Sequence, residues 1–212
     1  MAHDKFSVSI KGILCRDGKA LLRRNQRKEY ELIGGKLDAG DRSPQERLSK
    51  EFLEEAGAQI DVLSLRHPWL YLIGRKNVLI VPYVCELLSI DASHIDEDGG
   101  RIDWRDKNDI DSLFLPAGYG DSIYGRIPRT SFSLVEGEFF KIIPNYRESD
   151  YCVKILVTGI DGEPLVEDYL KHYQSPLDLV RGKIDRFDAD FLYPLKIEKE
   201  ADEICVCYVY YR

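Results

Sequence analysis

Three glutamates, Glu51, Glu54 and Glu55, stand at i, i+3 and i+4 in a stretch whose other residues favour a helix. Pro44 suits a first turn and Ser43 before it can cap; Leu48 and Phe52, with Leu53 beside them, supply an apolar stripe, and Gly57 ends the run. Side chains at that spacing share one helix face, so the three carboxylates repel one another by roughly a few tenths of a kcal/mol per pair. A divalent cation reverses that cost. Oxygen-only donors point to Mg²⁺ or Mn²⁺, because magnesium takes a few carboxylates, keeps several waters and completes its shell with substrate phosphate. A run of like charges also serves as a plain solvated face, and it is the approach to the helix that favours a site. Tyr30-Glu31-Leu32-Ile33 reads as a short strand, and Gly34-Gly35 lets the backbone turn sharply and come close to a ligand with no Cβ in the way.

Strand, glycine loop and acidic helix together resemble the Nudix hydrolases. That family's signature is a glycine, five residues, a glutamate, seven residues, then Arg-Glu-apolar-any-Glu-Glu-any-Gly-apolar. Here Gly35 opens the pattern and Lys50-Glu51-Phe52-Leu53-Glu54-Glu55-Ala56-Gly57-Ala58 closes it. There are three departures. Asp41 stands in place of the early glutamate, eight residues rather than seven separate it from Lys50, and lysine replaces arginine. The extra residue precedes Pro44, so it leaves the glutamate spacing intact and shifts Asp41 or Arg42 relative to it. Lysine gives up the planar fork that holds a carboxylate bidentately; the resemblance gives Lys50 the task of orienting Glu51 or Glu54.

Further elements extend the resemblance over about residues 5 to 125. Asp17-Gly18-Lys19 is a hairpin turn between strands at 8–15 and 20–24. Residues 77–88 read as a strand buried on both faces, with Pro82 arguing for an edge or bulge position. Ile102-Asp103-Trp104 and the acidic stretch to Leu115-Pro116 resemble the family's closing strand and last helix.

The resemblance implies an α/β protein, a Nudix-type α/β/α sandwich with a mixed sheet, hydrolysing a nucleoside diphosphate linked to another group, such as ADP-ribose or a nucleotide sugar. Nucleoside triphosphates, oxidised or canonical, and a nucleotide-sensing role stay open as alternatives. It implies Glu51, Glu54 and Glu55 as metal ligands, with a carbonyl from Gly35, and a base drawn from Glu51 and Glu54. Lys36 is in reach of a phosphate; Arg23 and Arg24 are candidates for the same task or for solvent-facing positions at a strand end. An additional acid is expected from Asp96-Glu97-Asp98, with Glu97 or Asp98 preferred, and Asp103 is a fourth candidate. Trp69, Tyr71, Tyr83, Trp104 and Tyr119 are candidates to stack on a base or to fill the core.

The Nudix-like domain is expected at 1–126, followed by a small α+β C-terminal unit at 127–212 with a core of its own. Strands are predicted at 138–143, 151–158, 191–197 and 203–211, and helices at 165–173 and 176–183. This unit resembles no family; covering the cleft, forming a homodimer and binding another partner are all open to it. The strand at 204–211 is apolar on both faces and so must be buried.

Composition narrows the partners. The formal charge of −7 over 212 residues disfavours general nucleic-acid binding, and residues 126–212 carry twelve basic and sixteen acidic side chains, so this part is no basic arm either. The partner that the resemblance implies is a nucleotide-derived small molecule. Five cysteines in strand-like settings read as buried thiols of a reducing cytosol, with Cys205 and Cys207 lacking the two-residue gap of a zinc or redox pair. No signal peptide precedes Ser7 and no apolar run approaches the ~20 residues that span a bilayer, so a cytoplasmic, non-membrane location is expected.

Overall fold

The computed structural model describes residues 3–73, 76–96, 98–133 and 150–211. The chain runs β1 (Lys5–Arg16), β2 (Lys19–Arg24), β3 (Tyr30–Leu32), α1 (Pro44–Ala56), β4 (Ala58–Leu65), β5 (Trp69–Ile73), β6 (Lys76–Ile90) and β7 (Arg101–Asp106). After a 3-10 turn at Lys107–Ser112 come α2 (Ala117–Tyr124), β8 (Ser131–Phe132), β9 (Asp150–Gly159), β10 (Pro164–Tyr169), α3 (Pro176–Arg181), β11 (Leu192–Glu200) and β12 (Glu203–Tyr210).

The sheet is mixed, in the order β11-β12-β9-β1-β6-β5-β8, with β10 beside β9 and β4 beside β6. The parallel pairs are β1 with β6, β9 with β12, and β5 with β8. At its far end β1 turns through Asp17 and Gly18, both at positive φ, into β2, which carries β3 and β7. Two residues at positive φ match the right-handed twist of the paired strands. Alternation along β1 sends Phe6, Val8 and Ile10 to one buried cluster, with α1, and Ile13 to another, with Tyr119 and Ile123 of α2. The fold is therefore α/β, with helices on both faces of a mixed sheet.

Helix α1 starts and stops as local chemistry dictates. The Ser43 side chain accepts from the Glu46 N–H, proline opens the first turn, and Gly57 closes the helix in the left-handed region. Its buried stripe comprises Pro44, Leu48, Glu51, Phe52, Glu55 and Ala56. Leu53, expected on that stripe, is exposed. Phe52 lies so close under Gly12 of β1 that a Cβ there would sit 2.3 Å from its ring, so glycine admits the helix to the sheet.

Three expectations differ from the observed fold. Pro82 lies inside the sheet, tolerated because its carbonyl accepts from Arg66 at the switch of neighbour from β4 to β5; its missing N–H faces that same break. The helix expected at 165–173 is instead β10, an edge strand folded onto β9 through a turn with Gly162 at positive φ; pairing with β9 overrides the helical spacing. The C-terminal unit does not enclose a separate core: β9 pairs antiparallel with β1, and one buried cluster runs from Phe52 through Val153, Ile155 and Val157 to Ile204, Val206 and Tyr208. The strand expected at 138–143 lies outside the described residues.

Candidate active site

Strands β1, β2 and β3 bring two buried charges, Lys11 and Arg23, to the half-buried Glu31. Lys11, on the cavity-facing side of β1, donates to the Gly34 carbonyl at 2.5 Å and lies 3.3 Å from a Glu31 oxygen. Arg23 lies opposite Glu31 in the β2–β3 register. Burial pushes the Glu31 carboxyl up, but Lys11, Arg27 and Arg23 outweigh it and hold the group below its ordinary range.

The glycine loop that follows carries this cluster to the helix. The Gly34 N–H donates to Glu55 at 3.1 Å, and Gly35 lies against Glu51 so closely that a Cβ would come within 1.9 Å of its carboxylate. Glu51 and Glu55 are 6% and 7% exposed, whereas Glu54 is solvent-facing. Burial raises both enclosed carboxyls, Glu55 to about 7, against the pull of Lys11 and of a nearby arginine.

Each buried glutamate has an arginine. Arg47, one turn earlier on α1, bonds Glu51 and reaches Asp38 at 3.8 Å. Arg23 lies 3.1 Å from Glu55, 2.7 Å from Asp96 and 3.8 Å from Asp98. Gly100 leaves room for the Arg23–Asp96 pair, which a Cβ there would strike. A cavity of about 380 Å³ is lined by Glu51, Glu54, Glu55, Asp96, Asp98 and His94, so five carboxylates meet two guanidinium groups. Among the described residues, Glu51, Glu54 and Glu55 do not bring three oxygens within 4.8 Å of one another; arginines hold two of them. The donors are hard oxygens in negative excess, and Gly35 clears the backbone beside Glu51, so the residues suit a hard divalent cation that gathers the carboxylates.

Several residues take places other than those expected. Lys50 pairs with Glu46 at 3.2 Å and lies 3.9 Å from Asp41, and it is Arg47 that holds Glu51. Arg23, a phosphate-binding candidate, is 8% exposed and enclosed by carboxylates. Arg24 is exposed at the end of β2, outside both cavities beside the site. Asp41 is buried, accepts from the Asp38 N–H at 2.7 Å and shapes the inserted loop. Its main-chain carbonyl and that of Ala39 accept from Lys199 of β11 at 2.7 and 2.8 Å. Asp98 lines the acidic cavity, Asp103 pairs with Arg105 at 2.9 Å, and Glu97 lies outside the described residues.

Two further cavities are lined by residues of the same charged cluster. One of about 170 Å³ includes Ser9, Lys11, Glu31, Lys36, Tyr71 and Tyr119 in its lining. A groove of about 450 Å³ shares Glu55, His94 and Asp96 with the acidic cavity and runs past Ile95 to Trp104. Trp69 and Tyr83 are core residues. Lys11, Arg47 and Lys199 escape sequence reading; the one signal for Lys11 is the polar alternation Ser7, Ser9, Lys11 along a strand that is otherwise apolar.

Solved structures that the chain is similar to include a Nudix hydrolase from Nitrosomonas europaea, at 21% identity over 51% of this chain and 77% of that one, TM-score 0.47. A MutT protein from Methanosarcina mazei is similar at 20% identity over 60% and 96% of the two chains, TM-score 0.48. The chain resembles Nudix hydrolases. An ADP-ribose pyrophosphatase from Streptococcus suis is similar at 20% identity over 49% and 75% of the two chains, TM-score 0.41. No family model matches the chain, and no curated protein matches it.

Proposed function

We propose that the chain is a divalent-metal-dependent pyrophosphohydrolase that cleaves a nucleoside diphosphate linked to another group. The observation that carries this is the pair of glutamates held inside the fold against Gly34 and Gly35, at the wall of a cavity with excess negative charge. Buried carboxylates cost stability, and a site that keeps them has a use for them. Mg²⁺ or Mn²⁺ held by Glu51, Glu54 and Glu55, beside a Gly35 carbonyl that already accepts from the Ile10 N–H at 2.9 Å, would supply charge neutralisation at the bridging phosphates and an acidified water.

The chain's own residues supply the rest. Glu51 or Glu54 would take a proton from the attacking water, and Asp98 adds charge to the same cavity. Lys11 and Lys36, in the 170 Å³ cavity, give that cavity the positive charge that phosphates seek, while Tyr71 and Tyr119 beside them are core residues. The groove from Glu55 to Trp104 offers room for the second group. Two cavities that share residues with the charged cluster, one through Lys11 and one through Glu55, support a two-part substrate over a triphosphate. The arginines on Glu51 and Glu55 favour a second reading, a nucleotide sensor whose carboxylates are neutralised within the chain.

Phosphate release from a panel of nucleoside triphosphates, ADP-ribose, nucleoside diphosphate sugars and dinucleoside polyphosphates, with Mg²⁺ or Mn²⁺ and a coupled phosphatase, decides between the two. Turnover of a diphosphate-linked compound, lost in Glu54→Gln, is expected. Silence across the panel with thermal stabilisation by one nucleotide would establish the sensor instead.

A further inference from the structure

The outer face of the C-terminal sheet carries a second cluster of donors, unrelated to the glutamates of α1. Cys205 and Cys207 alternate along β12 and so project from the same face. In the antiparallel register Glu198 of β11 lies opposite Cys205, and Lys196 lies opposite Cys207. On the other side the parallel register sets Lys154 of β9 beside Cys205.

The distances suit a shared ligand. The two Sγ atoms are 3.8 Å apart, Cys207 Sγ is 3.9 Å from Glu198 Oε2, and one donor atom from each of the three residues lies within 4.8 Å of the others. A tetrahedral metal holding two thiolates at about 2.3 Å keeps its sulfurs about 3.8 Å apart, and a thiolate and a carboxylate oxygen about 3.5 Å apart. A disulfide is the poorer use of the pair: neighbours two apart on a strand are separated by about 6.6 Å, near the upper limit that the bond spans.

Charge and access agree with the distances. Lys196 holds Glu198 Oε1 at 2.5 Å and leaves Oε2 to face Cys207, while Lys154 is drawn to Glu167 at 2.5 Å. Two thiolates and a carboxylate around a divalent ion leave one negative charge, which these lysines balance. Cys207 is buried and Glu198 exposed, so the cluster has a floor and an open side where water can complete four ligands. Soft sulfur donors select zinc over magnesium.

We propose that Glu198, Cys205 and Cys207 form a Zn²⁺ site on the outer face of β11 and β12, distinct from the oxygen-only site at α1.

The full chain, stripped of metal, is titrated with Zn²⁺ against a chromogenic chelator, and with Cd²⁺ to read thiolate charge-transfer absorption in the ultraviolet. One equivalent of zinc and a thiolate band are expected. Cys205→Ser and Cys207→Ser should each weaken binding by more than about 10-fold and remove the thiolate band, with Cys15→Ser unchanged. Glu198→Gln, an exposed change that spares the core, should weaken zinc binding while metal-free thermal unfolding stays at the wild-type temperature. The proposal is overturned if no stoichiometric zinc binds, if binding survives both cysteine changes, or if Glu54→Gln removes it.

Discussion

The two halves of the sheet fill their interiors with different chemistry. Among the described residues, every buried charged side chain lies between Lys11 and Asp121, and none lies in residues 151–211. Around β9 and β12 the interior is Val153, Ile155, Val157, Ile204, Val206 and Tyr208, whose burial stabilises without specifying any chemistry. Around α1 the interior holds Arg23 paired with Glu55 and Asp96, Glu51 paired with Arg47, and Lys11 paired with Glu31. Such pairs contribute little net stability once desolvation is counted. The difference supports the proposed site at α1: charge is kept inside there, and the apolar half is the support that makes this tolerable.

The largest expected effect comes from Glu54→Gln. Metal-dependent turnover should fall by more than about 100-fold, beyond what loss of an outer-shell partner costs, while chemical unfolding shifts by less than about 0.5 kcal/mol, as for an exposed site. Equal turnover in variant and wild type would remove the metal site from α1. Ile155→Ala is the counterpart in the apolar half: denaturant unfolding should show a loss of about 2–5 kcal/mol, with kcat per folded molecule unchanged. If Ile155→Ala instead lowers kcat at full folding, the two halves are not separable in this way.

Arg47→Ala sharpens the contrast within the charged half. It removes the partner that orients Glu51, and turnover should fall about 10- to 100-fold, whereas Lys50→Ala, which touches Glu46 and Asp41, should change it little. The reverse ranking would restore the motif lysine to the orienting role. Lys199→Met gives the smallest effect, crossing from one half to the other. Without its bonds to the Ala39 and Asp41 carbonyls the inserted loop loosens, so kcat should fall by less than about 10-fold, with partial rescue in Lys199→Arg. No change at all would show that the C-terminal half supports only the core.

Local chemistry was legible in the sequence by itself. Ser43, Pro44 and Gly57 bound α1, Asp17-Gly18 closes the first hairpin, and the spacing of Glu51, Glu54 and Glu55 names an acidic helix, because caps, turns and helix faces depend on residues a few positions apart. Tertiary structure alone decided which of those glutamates are enclosed. Glu51 and Glu55 fall on the buried stripe of α1 because Phe52 fits under Gly12, and Glu54 is left to solvent. It also decided which cations they meet: Arg47 rather than Lys50, Arg23 from β2, and Lys11 through Gly34. The strand β10 took the place of an expected helix because β9 offered it a ladder, and the last strands joined the first sheet because β1 had an edge to pair. Lys199 reaches a loop 158 residues earlier in the chain. Such partners are set by how strands stack and pair in space, and no local spacing carries that information.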